Sequence, residues 1–241
     1  MGKESIFTIP INAAFDFTRE EGICECPVCL LYYSLENNEV ERITGAAMME
    51  PDVRIQTNKQ GFCSNHLKMM LETDKKLPVG LMMESLLAEQ TKNIFPSFSI
   101  DGMGNKMTDK LDSFTCSCYV CSRINDSFSK MIDNMLYMYE TDPDFEVKYR
   151  EQRYFCLVHF NLLLKQGRDT LPKKLFKNFL DTTVRITSEY MKELNEDVSW
   201  FCKKFDYRYQ NESWKNSKDS LTRTQTFLSG GINDKKIKFK I

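Results

Sequence analysis

The spacing of apolar residues along the chain predicts a protein built from α-helices. Apolar side chains recur every three or four residues in several segments, an interval that places them on one face of a helix. These segments begin near Pro27, Cys63, Pro78, Cys118 and Phe176. Only the short basic tail at the end of the chain alternates apolar and polar residues as a strand does. We therefore expect an all-α fold with little or no sheet.

The last of these segments predicts a helix of about eight turns. Its apolar stripe steps by three or four residues along the sequence, and packing against a core explains such a stripe. The members of the stripe are Phe176, Leu180, Val184, Thr187, Met191, Leu194, Val198, Phe201 and Phe205. A shorter helix is expected to follow and to end near Leu228.

Three other stretches are predicted to be irregular. Residues 5–17 contain Pro10 and indicate an extended lead followed by a short apolar segment that covers part of the core. Glu50 and Pro51 interrupt the first helical region, and a polar stretch follows them. Residues 95–114 contain Pro96, Gly102, Gly104, three serines and few large apolar side chains, a composition typical of a connecting loop.

Eight of the nine cysteines and both histidines fall into one pattern that the sequence uses twice. A Cys-x-Cys-x-x-Cys cluster occupies Cys24–Cys29, and a second one occupies Cys116–Cys121. A Cys-x-x-His follows each cluster, at Cys63–His66 and at Cys156–His159, after 33 and 34 intervening residues. The chain is therefore organised around two sets of potential metal ligands.

The likeness between the two halves extends beyond these residues. A Leu-Pro pair follows each Cys-x-x-His at nearly the same distance, with prolines at Pro78 and Pro172, and apolar positions agree again after each proline. This agreement predicts an internal duplication with a period of about 92 residues. The predicted organisation is a first helical repeat at 1–94, a linker at 95–114, a second repeat with the long helix at 115–210, and a short helix with a basic tail at 211–241.

The spacing within the pattern suits a tetrahedral metal ion. Two thiolates at i and i+3 in a tight turn can reach one ion, and a Cys and a His at i and i+3 share one face of a first helical turn. A helix N-terminus also lowers a thiol pKa, which favours the thiolate that binds metal. The predicted ligands are Cys26, Cys29, Cys63, His66, Cys118, Cys121, Cys156 and His159.

The pairing of the half-sites has two solutions. We assign the ligands at 26, 29, 63 and 66 to one site and those at 118, 121, 156 and 159 to the other. In an exchanged arrangement the Cys-x-x-Cys of one repeat would meet the Cys-x-x-His of the other, and the same eight residues would serve as ligands.

The Cys3His composition of each set favours zinc. Structural zinc sites are closed by four thiolate and imidazole ligands. Iron–sulfur clusters also use cysteine and are the rival cofactor, but the histidine in each set disfavours them. We therefore expect two Zn²⁺ per chain.

Three cysteines remain outside the ligand sets. Cys24 and Cys116 have the same offset in both clusters, and three roles compete for them: alternative ligand, redox-active neighbour or small core residue. Cys202 lies near the apolar stripe of the long helix, so we expect it in the core.

Length, charge and the N-terminal sequence disfavour several other classes of protein. A chain of 241 residues can bury a core without disulfides. Its formal net charge of −1 disfavours nucleic acid and anionic membranes as partners, and its apolar runs are far shorter than the ~20 residues of a membrane span. Because no signal-peptide pattern is present, we expect a cytoplasmic protein, where regularly spaced cysteines bind metal or act in redox chemistry.

Three segments of the chain resemble an uncharacterised bacterial family of about this length, classed as a domain of unknown function. The segments are Ile9–Phe15, Cys26–Leu30 and Gly61–Leu67. In the second repeat, Tyr119 replaces the Pro of Cys-Pro-x-Cys and Tyr154 replaces the Gly of Gly-x-Cys. The resemblance covers most of the chain and implies the same architecture, but it supplies no mechanism.

The sequence favours a binding protein over an enzyme. It contains no His-Glu-x-x-His, Gly-x-Ser-x-Gly, P-loop or dinucleotide motif, and both histidines are assigned to metal. We predict a zinc-binding helical protein with two structural sites and an interaction or scaffold role toward other proteins. The alternatives are a thiol or metal sensor that uses Cys24 and Cys116, a zinc enzyme with an open coordination position, and a nucleic-acid binder.

Overall fold

The computed structural model describes residues 7–20, 25–95 and 104–232. Within these ranges it contains α-helices and two short 3-10 helices but no strand, which confirms the all-α prediction. The α-helices are α1 Thr8–Phe17, α2 Pro27–Ile43, α3 Pro51–Gln60, α4 Ser64–Glu72, α5 Lys76–Ile94, α6 Gly104–Thr115, α7 Tyr119–Thr141, α8 Pro143–Arg150, α9 Leu157–Thr170, α10 Lys173–Lys203 and α11 Ser220–Ser229. The 3-10 helices are Ala46–Met49 and Tyr207–Tyr209.

Some sequence predictions concern residues outside the described ranges. These residues are Cys24, the first half of the predicted linker at 96–103, and the basic tail at 233–241. No α-helix in the described ranges has both the length and the apolarity that crossing a membrane requires.

The described residues form two compact units. The first unit comprises those within Met1–Ser34 and Phe128–Ile241, and the second comprises those within Leu35–Ser127. The boundaries fall inside α2 and α7. Each unit therefore contains the Cys-x-x-Cys of one predicted repeat and the Cys-x-x-His of the other. The division of the sequence into repeats stays a prediction.

Aromatic side chains around Tyr149 form the core of the first unit. The centroid of the Tyr149 ring lies 4.9 Å from that of Phe155, 5.0 Å from that of Tyr139 and 5.3 Å from that of Phe179. The Tyr149 hydroxyl shares a hydrogen bond of 2.8 Å with Thr183, so the polar end of this buried ring is satisfied. This packing joins α7, α8 and α10 to Phe155, which immediately precedes the candidate ligand Cys156.

The predicted extended lead is wrong, because residues 8–17 form α1. Pro10 lies in the first turn of this helix, where its missing N–H costs no hydrogen bond. The buried side chains of α1 are Pro10, Ile11, Ala14 and Phe15. The lead therefore covers the core, as expected, but as a helix.

Two stretches that the sequence indicated as irregular are also helical. The polar stretch after Glu50 is α3, which begins with Pro51 and ends with Gln60, directly before Gly61. Residues 104–115, the second half of the predicted loop, form α6. In α3 only Val53 and Ile55 are large and apolar, so periodicity did not reveal it. In α6, Met107, Leu111 and Phe114 have helical spacing, but the Gly, Ser and Pro residues of this region indicated a loop instead.

The long helix α10 confirms the predicted length but buries a different face. Its buried residues are Phe179, Thr183, Ile186, Thr187, Tyr190 and Leu194. Val184 and Met191 of the predicted stripe are 41% and 50% exposed. The face is displaced because Thr183, which the predicted stripe did not include, lies on the buried side, where its hydroxyl donates a hydrogen bond to Phe179 O.

Gly61 links α3 to the candidate ligands of the second unit. Its φ of 62° lies in the left-handed region that favours glycine. Its carbonyl accepts a hydrogen bond of 3.0 Å from the Tyr119 N–H, at the start of α7. A Cβ at this position would lie 2.7 Å from the Phe114 ring. Both the backbone conformation and the space therefore require glycine.

We expect Gly61→Ala to lower the free energy of unfolding by roughly 1–3 kcal/mol, because alanine is strained at this φ and clashes with Phe114. Gly80 of α5 is the matched control, since an added Cβ there meets no atom within 4 Å. Gly80→Ala should raise the free energy of unfolding by up to about 1 kcal/mol through helix propensity. Urea unfolding, monitored by circular dichroism, measures the free energy of unfolding of both variants. Equal changes in the two variants would contradict the requirement for glycine at position 61.

The buried face of α10 is tested by Phe179→Ala and Val184→Ala. Removal of the fully buried Phe179 ring should lower the free energy of unfolding by about 3–5 kcal/mol. Val184→Ala, on the predicted but exposed stripe, should change it by no more than about 0.5 kcal/mol. Thermal or urea unfolding would contradict the structure if the larger loss followed Val184→Ala.

Candidate metal centres

Two groups of cysteine and histidine side chains could each hold a metal ion. Cys26, Cys29, Cys156 and His159 form the first-unit group, and all four are buried. The second-unit group contains Cys63, His66, Cys118 and Cys121. In each group the four ligand atoms lie within 4.8 Å of one another.

The pairing of half-sites that we assigned from the sequence is wrong, and the exchanged arrangement is observed. Each Cys-x-x-Cys meets the Cys-x-x-His of the other predicted repeat. The spacing of the ligands is nearly the same in both repeats, so it fits either pairing equally well. The choice depends on tertiary packing, which the ligand pattern does not contain.

Each group forms where the N-termini of two helices converge. The first Cys of every motif precedes a helix, and its carbonyl accepts the first backbone hydrogen bond of that helix from the residue four positions later. These carbonyl–amide distances are 3.2 Å at Cys26, 3.0 Å at Cys63, 3.0 Å at Cys118 and 2.7 Å at Cys156. The second ligand of each motif therefore lies in the first turn, on the same face as the first. The positive end of the helix dipole favours a thiolate at these positions.

In the first-unit group, the Nδ1 atom of His159 faces the three sulfur atoms. It lies 3.3 Å from Cys29 Sγ, 3.3 Å from Cys156 Sγ and 3.8 Å from Cys26 Sγ. The sulfur atoms of Cys29 and Cys156 are 3.6 Å apart. The His159 ring packs against Phe128, with 5.7 Å between the ring centroids.

The second-unit group repeats this geometry but is less buried. Nδ1 of His66 lies 3.2 Å from Cys63 Sγ, 3.3 Å from Cys118 Sγ and 3.4 Å from Cys121 Sγ. The sulfur atoms of Cys63 and Cys121 are 3.9 Å apart, and both residues are half-buried. On the far side of the His66 ring, Nε2 lies 3.0 Å from the Glu36 carboxylate.

These distances suit one four-coordinate ion in each group. A tetrahedron with Zn–S bonds of about 2.3 Å and a Zn–N bond of about 2.0–2.1 Å has S···S edges of about 3.8 Å and S···N edges of about 3.6 Å. The observed S···S separations of 3.6 and 3.9 Å lie on either side of that edge. An iron–sulfur cluster holds its cysteines on several metal atoms and would separate the sulfurs further.

The pKa values of the first-unit thiols separate because the thiols contact one another. Hydrogen bonds from Cys26 and Cys29 hold the pKa of Cys156 well below its usual range. The bond to Cys156 raises the pKa of Cys29 far above its usual range, and burial raises that of Cys26. Three thiolates at this spacing repel one another, so their simultaneous ionisation requires a cation among them.

The second-unit group couples a histidine to a thiolate. Burial lowers the pKa of His66, but hydrogen bonds with Cys118 and Glu36 outweigh this and raise that pKa to about 10. Burial raises the pKa of Cys118, but the bond from His66 outweighs it and lowers that pKa to about 6. Burial, followed by the bond with Cys118, raises the pKa of Cys121 to about 12. A metal ion bound here would replace the proton on His66 Nδ1.

Sequence reasoning missed Glu36 and misplaced Cys202. Glu36 lies seven residues after Cys29 on α2, and its contact with His66 depends on the exchanged pairing, so no motif indicated it. Cys202 is exposed rather than in the core, because the buried face of α10 differs from the predicted stripe. Cys116, whose role the sequence left open, is also exposed.

The comparisons with known proteins supply a family and no function. No curated protein and no solved structure matches the chain. The model of a family of unknown function matches residues 2–235, which confirms the resemblance to an uncharacterised family. The chain therefore belongs to the family of unknown function DUF6062.

Proposed function

We propose that this chain is a zinc-binding helical protein with two structural Cys3His sites. The observation that carries the proposal is the presence of two separate groups, each with three sulfurs and one imidazole nitrogen within 4.8 Å of one another. The proposed ligands are Cys26, Cys29, Cys156 and His159 in one site and Cys63, His66, Cys118 and Cys121 in the other. Two Zn²⁺ per chain would offset the repulsion among the thiolates.

A structural role agrees with the closed ligand sets. Four protein ligands fill the tetrahedral coordination of zinc, whereas a catalytic site keeps a position for water or substrate. Each proposed ion ties together two helices that are distant in sequence, because Cys29 and Cys156 are 127 positions apart and Cys63 and Cys121 are 58 positions apart. Metal binding should therefore stabilise the folded chain.

We further propose that the protein acts through interactions with other proteins in the bacterial cytoplasm. The near-neutral formal charge supports a protein partner over nucleic acid. Large exposed side chains such as Phe205 (72%) and Tyr207 (81%) provide apolar surface for such contacts. A reducing compartment keeps the ligand thiols available for metal.

A thiol sensor is a second candidate, because Cys116 is exposed and lies two residues before the proposed ligand Cys118. In this function, hydrogen peroxide would oxidise Cys116 and a ligand thiol to a disulfide, with reduction of the peroxide to two molecules of water. Loss of that ligand would release the second-unit ion. Cys24, the corresponding residue of the first cluster, lies outside the described ranges.

Two double variants test the zinc sites and their exchanged pairing together. His66→Ala with Cys121→Ser removes two ligands of one proposed site, so the protein should retain one Zn²⁺ per chain. His66→Ala with Cys29→Ser damages both sites and should leave none. Elemental analysis of protein purified without added metal measures the content, with two Zn²⁺ expected in the wild type.

The same-repeat pairing predicts the opposite result for these two variants. One Zn²⁺ in the His66/Cys29 variant and none in the His66/Cys121 variant would therefore overturn the exchanged sites. A wild-type protein that contains no metal, or iron with visible absorbance, would overturn the zinc function itself.

Mild peroxide treatment distinguishes the sensor from the purely structural protein. If the protein is a thiol sensor, peroxide should release one Zn²⁺ per chain from the wild type and none from Cys116→Ser. Cys202→Ser is the matched control, because Cys202 is also exposed but is not part of a ligand motif, and it should release zinc as the wild type does. Zinc content that peroxide leaves unchanged in the wild type would exclude the sensor.

A further inference from the structure

The two candidate centres differ in the side chain that lies beside the histidine ring. In the second unit, Nε2 of His66 lies 3.0 Å from Glu36 Oε1. Asn65 donates a hydrogen bond of 3.0 Å from its side-chain amide to the same oxygen. The Glu36 side chain is only 14% exposed, so this oxygen is held by two partners in a largely buried position.

In the first unit, an aromatic ring packs against the histidine. Phe128 packs on the ring of His159 at an interplanar angle of 57°. In the described part of the chain, no carboxylate forms a hydrogen bond with His159. The two sites thus share ligand types and the use of Nδ1 but differ in the group beside the imidazole.

The difference occurs at one register position. Glu36 lies seven residues after Cys29 on α2, and Phe128 lies seven residues after Cys121 on α7. Seven residues are two helical turns, so both side chains lie on the same face as the second Cys of their motif. This position carries a carboxylate beside His66 and a phenyl ring beside His159.

A carboxylate on Nε2–H fixes the tautomer of a metal-binding imidazole. With the proton held on Nε2, the Nδ1 lone pair points toward the three sulfurs, and the carboxylate increases the basicity of the ring. Phe128 can fix the orientation of His159 by packing, but it cannot accept the Nε2 proton. His66 alone is therefore both oriented and polarised by a neighbouring charge.

We propose that Glu36 is a positioning residue for the second-unit metal site and sets the affinity of that site alone. The inference rests on the proposed function, since it requires that both sites bind zinc. Glu36 acts through His66 and is not itself a ligand of the ion.

The test compares Glu36→Ala, Glu36→Gln and the control Glu39→Ala by zinc titration against a chromophoric chelator. Glu39 lies one turn further along α2, its side chain is 12% exposed, and it pairs with Arg42 rather than with His66. Glu36→Ala should weaken one of the two sites about 10- to 100-fold and leave the other unchanged. Glu36→Gln should weaken zinc binding at that site less, because the amide oxygen of the glutamine can still accept a hydrogen bond from Nε2–H. Glu39→Ala should bind zinc at both sites with the affinity of the wild type.

A nitrogen-15 NMR spectrum separates positioning from a general loss of structure. The chain has two histidines, so two imidazole rings appear. Both should show a metal-bound Nδ1 and a protonated Nε2 in the zinc-loaded wild type, and Glu36→Ala should shift the Nε2 signal of one ring only.

The outcomes separate this inference from the proposed function. Two bound Zn²⁺ with unchanged affinities in Glu36→Ala would overturn the inference alone. An equal loss of zinc affinity at both sites of Glu36→Ala, or the same loss of affinity in Glu39→Ala, would also overturn it. A wild-type protein without two bound Zn²⁺ would overturn the proposed function and this inference together.

Discussion

Three thiolates brought together at the meeting point of two helix N-termini repel one another, and the proposed role of both centres depends on offsetting that charge. Each unit places three sulfurs and an imidazole nitrogen within 4.8 Å of one another. Hydrogen bonds from Cys26 and Cys29 lower the pKa of Cys156, and the bond from His66 lowers that of Cys118, so each centre favours a first thiolate. These interactions do not favour three thiolates in one centre. A dication at each centre would offset the remaining charge, and we propose that Zn²⁺ has this role.

The exchange of half-sites explains how two small clusters can organise the whole chain. If each Cys-x-x-Cys bound with its own Cys-x-x-His, each ion would close a loop of fewer than 40 residues. In the observed pairing, the contact between Cys29 and Cys156 spans 127 residues. The proposed ions therefore constrain chain segments that are distant in sequence. The same pairing brings Glu36 to His66 and Phe128 to His159, so one register position gives the two sites different chemistry.

The sequence predicts the longer helices and the eight cysteines and histidines that the structure brings into two groups, because both depend on local spacing. A helix begins directly after Cys63, and the length of α10 follows from its apolar stripe. The pairing could not be predicted, since nearly equal spacers fit both solutions. The buried face of α10 was displaced because Thr183 contributes to the core through a hydrogen bond that hydrophobicity does not measure. Glu36 was missed because its partner is 30 residues away and depends on tertiary packing.

X-ray absorption at the zinc edge, on protein purified without added metal, tests the central claim most directly. The account predicts zinc with three sulfur ligands at about 2.3 Å and one nitrogen ligand at about 2.0–2.1 Å per ion. Because the spectrum averages over both ions of the chain, this coordination shell is expected for the mean of the two sites. A shell of oxygen and nitrogen alone, or the absence of zinc from the folded protein, would contradict it.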